Sequence, residues 1–159
     1  MILRPTTPKD LAAIDLLLAR SYRALLKRDY PASVLVTALP LISRAQPDLL
    51  SSGTYYVVTD EVRVYGAGGW SRDRDRSDLG HIRHLVTDHL CLRRGIARCI
   101  VLHALQDAGQ AGIRQMECWS TFTAEPFYKA MGFTTQGPID VPLQPGVSFP
   151  ARRMIRSLQ

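Results

Sequence analysis

The stretch LGHIRHLVTDHLCLRRGIARCIVLHALQDAG, residues 79–109, decides the fold. Its first nine residues read as a central β-strand, and LRRGIARCIVLHALQDAG reads as a helix ending near Gly109 or Gly112. A strand that turns into a helix beginning at Gly95 leaves backbone N–H groups unpaired and aims the positive end of the helix dipole outward. That arrangement makes a pyrophosphate site, which Gly95 lets a phosphate approach closely. Arg93 and Arg94 add charge-assisted bonds, and the small Ala97 keeps the first turn uncrowded. The same residues also describe a basic loop ahead of an ordinary helix, so the segment does not decide the function alone.

Upstream, Thr7 can cap a helix with Pro8 at its first position, and Leu11, Ile14, Leu17, Leu18 and Leu25 recur at helical spacing over about 8–27. Pro31 opens a second, less regular helical stretch, interrupted at Pro40 and over by Gly53. TYYVVTD and VRVYGAGGW, separated by the Asp60–Glu61 turn, predict a hairpin, and SRDRDRSD (71–78) its exposed exit loop. Downstream, RQMECWS predicts a strand and AEPFYKAM a short helix ended at Gly132. A strand begins at Phe133–Thr135, a Pro- and Gly-rich turn covers 137–150, and ARRMIRSL closes the sheet. The order βααβββαβαββ implies a mixed sheet with helices on its faces.

The chain of 159 residues fits one domain, 1–159, and its 46% hydrophobic and 21% charged residues are those of a globular protein. No basic region followed by an apolar stretch opens it, and no window of about 18 apolar residues occurs, which points to a cytoplasmic protein. Cys91, Cys99 and Cys118 form neither an even set nor a C-x-x-C pair, consistent with reduced thiols. His103 follows Cys99 at helical spacing, but two ligands make no metal site. The net charge of +6 attracts polyanions, whether nucleic acid or a small polyphosphate, yet no aromatics are interleaved to stack bases.

The second informative segment is TAEPFYKAMGF (123–133). A phenol within reach of a departing thiolate can protonate it, so Tyr128 is a chemically reasonable general acid; it is equally a half-buried aromatic with its hydroxyl in water. Together, LRRGIA and AEPFYKAMGF on these elements resemble the pyrophosphate motif and the A-x-x-F-Y-x-x-x-G-F signature of the GNAT superfamily of N-acyltransferases. The resemblance covers nearly the whole chain. It implies an α+β fold, with a mixed, mostly antiparallel sheet of about seven strands flanked by about four helices.

The resemblance further implies an acetyl-CoA-dependent N-acetyltransferase acting on a primary amine, or a domain that only binds acyl-CoA. Acetyl-CoA would lie between the strand ending at Leu85, Val86 and Thr87 and the strand around Glu117–Cys118. Its pyrophosphate would meet Arg93, Arg94, Gly95, Ile96, Ala97 and Arg98, and Thr121 would stand beside it. Tyr128 would protonate the thiolate, and a backbone N–H near Val86 would stabilise the oxyanion. Leu92, His89 and Thr121 depart from the family pattern. For the general base, strand alternation puts His81 and His84 on opposite faces, with His81 sharing its face with Arg83, Leu85 and Thr87. His81 is the first candidate, with His84 and Glu117 in reserve, and it is equally a plain polar strand residue. The amine site falls in residues 20–53, where Tyr22, Arg28 and Tyr30 line a pocket or decorate a surface. Asp29, Asp48 and Asp73-Arg74-Asp75 are the groups available to a cationic acceptor. A homodimer is compatible with the family and nucleic acid is the least favoured partner.

Overall fold

Seven strands make one sheet in the order β1-β2-β3-β4-β5-β7-β6. The computed structural model describes residues 1–158. In chain order the elements are β1 (Ile2–Pro5), a 3-10 turn (Pro8–Asp10), α1 (Leu11–Leu26), α2 (Ala32–Ile42), α3 (Pro47–Leu50), β2 (Tyr55–Thr59) and β3 (Val64–Arg72). There follow β4 (Leu79–Thr87), α4 (Ile96–Gln110), β5 (Gln115–Ser120), α5 (Glu125–Ala130), β6 (Thr134–Gln144) and β7 (Val147–Ser157). All neighbouring strands are antiparallel except β4 and β5, which run parallel. The predicted α+β class and element order therefore stand, with one further helical turn, α3, where the sequence suggests a single irregular helix.

Helix α1 starts where its periodicity says, because the Asp10 carboxylate accepts the Thr7 N–H at 2.8 Å and is itself held by Arg4 at 2.9 Å. Its apolar stripe, Ile14, Leu17 and Leu18, is fully buried against Tyr55, Ala67 and Val86 of the sheet. Each such side chain contributes about 1.5–3 kcal/mol. Pro40 lies inside α2 rather than at its end. Its ring removes one hydrogen bond, and the helix stops two residues later. On the opposite face α4 buries Val101, Ala104, Leu105 and Ala108 against Tyr56, Trp70 and Met116. Gly68 permits this approach, since a Cβ there would sit 2.7 Å from Leu85 Cδ1 and 3.1 Å from Ile100 Cγ2.

The segment 137–150 departs from expectation. Only Pro145 and Gly146 turn; the rest extends the two last strands into a long hairpin. Proline is compatible with a strand whose N–H side faces no neighbour, and β6 is the sheet's edge, with bulges at Thr135/Gly137 and Pro142/Gln144. No helix among the described residues is long and apolar enough to cross a membrane. The three cysteines are free.

Candidate active site

β4 and β5 pair only at Leu79↔Gln115, Gly80↔Met116 and His81↔Glu117, and from there they part. The parting has a local cause. Between the pairs Gly69↔Arg83 and Ala67↔Val86, β3 has one residue and β4 has two, so β4 carries a bulge at His84 and Leu85. His84 has φ +42°, a backbone conformation that costs a non-glycine residue of order 1 kcal/mol or more. Two tyrosine hydroxyls hold the bulge: Tyr55 donates to the His84 carbonyl at 2.8 Å and Tyr22 to the Leu85 carbonyl at 3.1 Å.

The bulge overturns the expected strand alternation. Arg83 donates Nε–H to Ser71 Oγ at 2.8 Å, and Ser71 is the cross-strand partner of His81, so His81 and Arg83 face the α1–α2 side. His84 faces the same way, its Nε2 lying 3.1 Å from Gln46 Nε2, and Val86 packs into the α1 core. Leu85 packs with Ile96 and Ile100 beneath α4. Thr87, opposite Gly66, shares that α4 side. His81 and His84 therefore share a face, and Leu85 and Thr87 lie on the other. The extra residue shifts the side-chain parity by one.

The gap continues into a cleft of about 1620 Å³, larger than the usual 300–1,000 Å³ of small-molecule pockets. At one end lies the start of α4. Arg93 and Gly95 both take left-handed backbone, at φ +60° and +78°, and no side chain caps the helix. Alternating left- and right-handed residues gather amide N–H groups into an anion-binding concavity, reinforced by the helix dipole. Arg93, Gly95, Ile96, Ala97 and Arg98 line the cleft here. The Ile96 side chain is buried in the core, so only its backbone is available, and Arg94 is exposed outside the lining. Beneath the loop, buried Asp88 binds Arg20, Arg63 and the Leu90 N–H. Burial alone would raise the Asp88 pKa, but the Leu90 amide and the two guanidinium groups hold it below the ordinary value.

Along the gap, the Asp88 N–H donates to Tyr65 O on β3 at 2.8 Å. Successive peptide groups alternate between the edges of a strand, so the amides of Leu85 and Thr87 point towards β5. Across the cleft Tyr128 is 5% exposed, packed edge-on against Phe127 and Phe133, and its hydroxyl makes no hydrogen bond among the described residues. Burial keeps this phenol neutral, with a pKa well above 10. Burial also pushes the neighbouring Cys118 thiol up, so it is no ready nucleophile. Thr121 lines the cleft, but its hydroxyl accepts the Ala124 N–H at 3.1 Å in the turn that leads into α5.

At the apex, where β4 and β5 part, His81 Nε2 lies 2.7 Å from Asp73 Oδ1. The Asp73 pKa is lowered to about 2, chiefly by this bond and then by the amides of Asp75 and Arg76. A carboxylate only accepts, so Nε2 carries the hydrogen, and the neutral imidazole then has Nδ1 as its acceptor. His84 is neutral at pH 7 because burial, then Arg83, lower its pKa to about 4. Glu117 is engaged by Trp119 Nε1 at 2.7 Å and by Arg153 at 3.1 Å. Tyr22 and Tyr30 are structural: the Tyr30 hydroxyl donates to Pro150 O at 2.7 Å and accepts the Phe122 N–H at 2.9 Å. Arg28 lines the cleft, and the exposed Asp48 lies outside its lining. Asp73 and Arg83 carry no motif that singles them out in sequence. The bulge has one trace, the Gly68–Gly69 pair facing it.

A family model described as an acetyltransferase (GNAT) domain matches residues 38–141. No curated protein matches the chain. Among solved structures, it superposes on a GCN5-related N-acetyltransferase from Rhodopseudomonas palustris with a TM-score of 0.78, at 18% identity over 98% of this chain and 94% of that one. It superposes on the PaiA N-acetyltransferase of Thermoplasma acidophilum, solved with coenzyme A, at 0.73 and 12% identity over 98% of both chains. The N-acetylglutamate synthase of Neisseria gonorrhoeae, solved with coenzyme A and N-acetyl-glutamate, matches at 0.68 and 16% identity over 99% of this chain and 35% of that one. At these identities the likeness is one of fold.

Proposed function

The chain belongs to the GNAT acetyltransferase family, and on that premise we propose that it transfers the acetyl group of acetyl-CoA directly to a primary amine. The observation that carries this reading is the opened gap between β4 and β5, which runs from the uncapped start of α4 past the unpartnered Tyr128 hydroxyl to the bulge.

The residues present fit the co-substrate. The amides around Gly95, with Arg93 and Arg98, suit a pyrophosphate, and the strand edges freed by the splay suit the amide groups of a pantetheine arm. Acetyl-CoA supplies an acyl group activated as a thioester. The Leu85 and Thr87 amides are fixed donors for its carbonyl oxygen and need no reorganisation as charge develops there. Tyr128 remains a neutral phenol at every working pH and donates its proton to the leaving sulfur. An ammonium of pKa near 10 must lose a proton before it attacks. His81 takes it at Nδ1, oriented by Asp73 as a third group orients a base.

The test is thiol release from acetyl-CoA over a panel of amines. Turnover without an acyl-enzyme burst supports direct transfer. Saturable acetyl-CoA binding with no release against any amine would make the domain an acyl-CoA-binding module instead.

A further inference from the structure

Among the described residues that line the cleft, Lys27, Arg28, Arg83, Arg93 and Arg98 form no ion pair, and of these Arg83 alone is partly buried while the others are exposed. The only hydrogen bond of Arg83 joins Nε to Ser71. It forms no ion pair among the described residues, and Asp73, the carboxylate whose charge bears on it, is committed to His81 and to the amides of Asp75 and Arg76. Nη1 and Nη2 therefore keep their N–H groups free. Burial, and then repulsion from Arg74, lower its pKa, as expected of a guanidinium held without an anion. Asp29, which lines the cleft, accepts the Thr123 hydroxyl at 2.7 Å, and Glu117, outside the lining, is held by Arg153 at 3.1 Å. A polycation entering here would meet five basic side chains, Lys27, Arg28, Arg83, Arg93 and Arg98, and among the described residues one lining carboxylate, Asp29.

Resting on the acyltransferase reading above, we propose that the acceptor is a small amino acid whose carboxylate is held by the Arg83 fork. A planar guanidinium meets a carboxylate through two parallel hydrogen bonds, which fixes position as well as charge. In an α-amino acid one carbon separates carboxylate from amine, so an acceptor seated on Arg83 presents its nitrogen among the side chains beside it. The bulge puts His84 next to Arg83 on the same face, and His81 precedes it on that face. The wall above is apolar, formed by Ile42 and by Val141, Leu143 and Phe149 of the terminal hairpin, so the acceptor's side chain is apolar too.

The experiment compares L-leucine, L-methionine and L-phenylalanine with their decarboxylated amines and their carboxamides. Each is assayed for thiol release and, by saturation-transfer NMR, for binding to the CoA-loaded protein. We expect turnover and binding to require the carboxylate. Arg83→Met should raise KM for the carboxylate acceptors about 30-fold or more, with the acetyl-CoA-dependent rise in melting temperature unchanged; Arg83→Lys should recover part of the loss. Equal turnover of the decarboxylated amines, a carboxylate preference that survives Arg83→Met, or neither binding nor turnover of any amino acid overturns this inference alone. Loss of the acetyl-CoA response in the wild-type protein overturns the acyltransferase reading beneath it.

Discussion

Replacing Tyr128 by Phe removes one oxygen from the centre of the cleft and tests the chemistry with little structural confusion. The ring stays packed edge-on at 5.3 Å from both Phe127 and Phe133. The hydroxyl has no hydrogen-bond partner among the described residues, so its loss strands no buried donor or acceptor. Stability should therefore change by less than about 0.5 kcal/mol, which for a chain this size is a melting shift of about 2 °C or less. Acetyl-CoA affinity should stay within twofold, because the phosphate end of the cleft is untouched. A general acid contributes about 10²–10⁴-fold, so kcat should fall at least a hundredfold, roughly 2.7 kcal/mol of barrier. Burial holds the phenol's pKa well above 10, so the wild-type rate should show no decline below pH 9 from Tyr128 ionisation. The assay is steady-state thiol release beside a melting curve and an acetyl-CoA titration. A kcat within threefold of wild type would refute the assignment, as would a fall in kcat explained by lost affinity.

Gly95→Ala tests the phosphate end. A Cβ at Gly95 meets no atom within 4 Å, so the cost is the left-handed backbone alone, about 1–2 kcal/mol. If the loop escapes that strain by abandoning its amide cradle, acetyl-CoA binds about 5–30-fold more weakly by calorimetry, while unchanged affinity would dissociate the cradle from the ligand. Asp73→Asn should lower kcat about tenfold or more, because a side-chain amide can present N–H to His81 and favour the wrong tautomer. The bell of kcat/KM against pH should shift on its acidic limb, and an unchanged profile would remove His81 from the base role. Asp88→Asn should destabilise the fold by about 1–2 kcal/mol, since its two arginines reach solvent. The depressed folded pKa of Asp88 contributes stability that is complete above the unfolded value near 4 and is lost as pH falls through the folded value. Denaturant midpoints of the variant should accordingly fall less steeply than wild type below pH 4.

Much of this fold is legible in the sequence, because its helices and central strands carry their own periodicity and caps. Leu11, Ile14, Leu17 and Leu18 announce α1, and Gly95 and Gly132 mark the boundaries that the structure confirms. Two features are not. Pro138, Pro142 and Gly137 look like a turn locally, and only the position of β6 at the sheet's edge makes a strand of them. The face of His84 depends on one extra residue in β4 relative to β3, a relation between strands that neither sequence contains alone. The site divides the same way. Tyr128 and the phosphate loop sit in contiguous motifs, whereas Arg83, Asp73 and the two clamping tyrosines acquire their places only through pairing across the sheet.

The most direct test of the central claim is a thermal-shift titration with acetyl-CoA, with free CoA and ADP as controls. A ligand that binds only the folded chain adds about 2.7 kcal/mol at a hundred times its Kd, which corresponds here to a rise of roughly 5–10 °C. A pyrophosphate site at the start of α4 predicts a saturable rise with acetyl-CoA and CoA that is diminished in Gly95→Ala. No shift at millimolar acetyl-CoA would contradict it, since the amides at the start of α4 would then not be a pyrophosphate site.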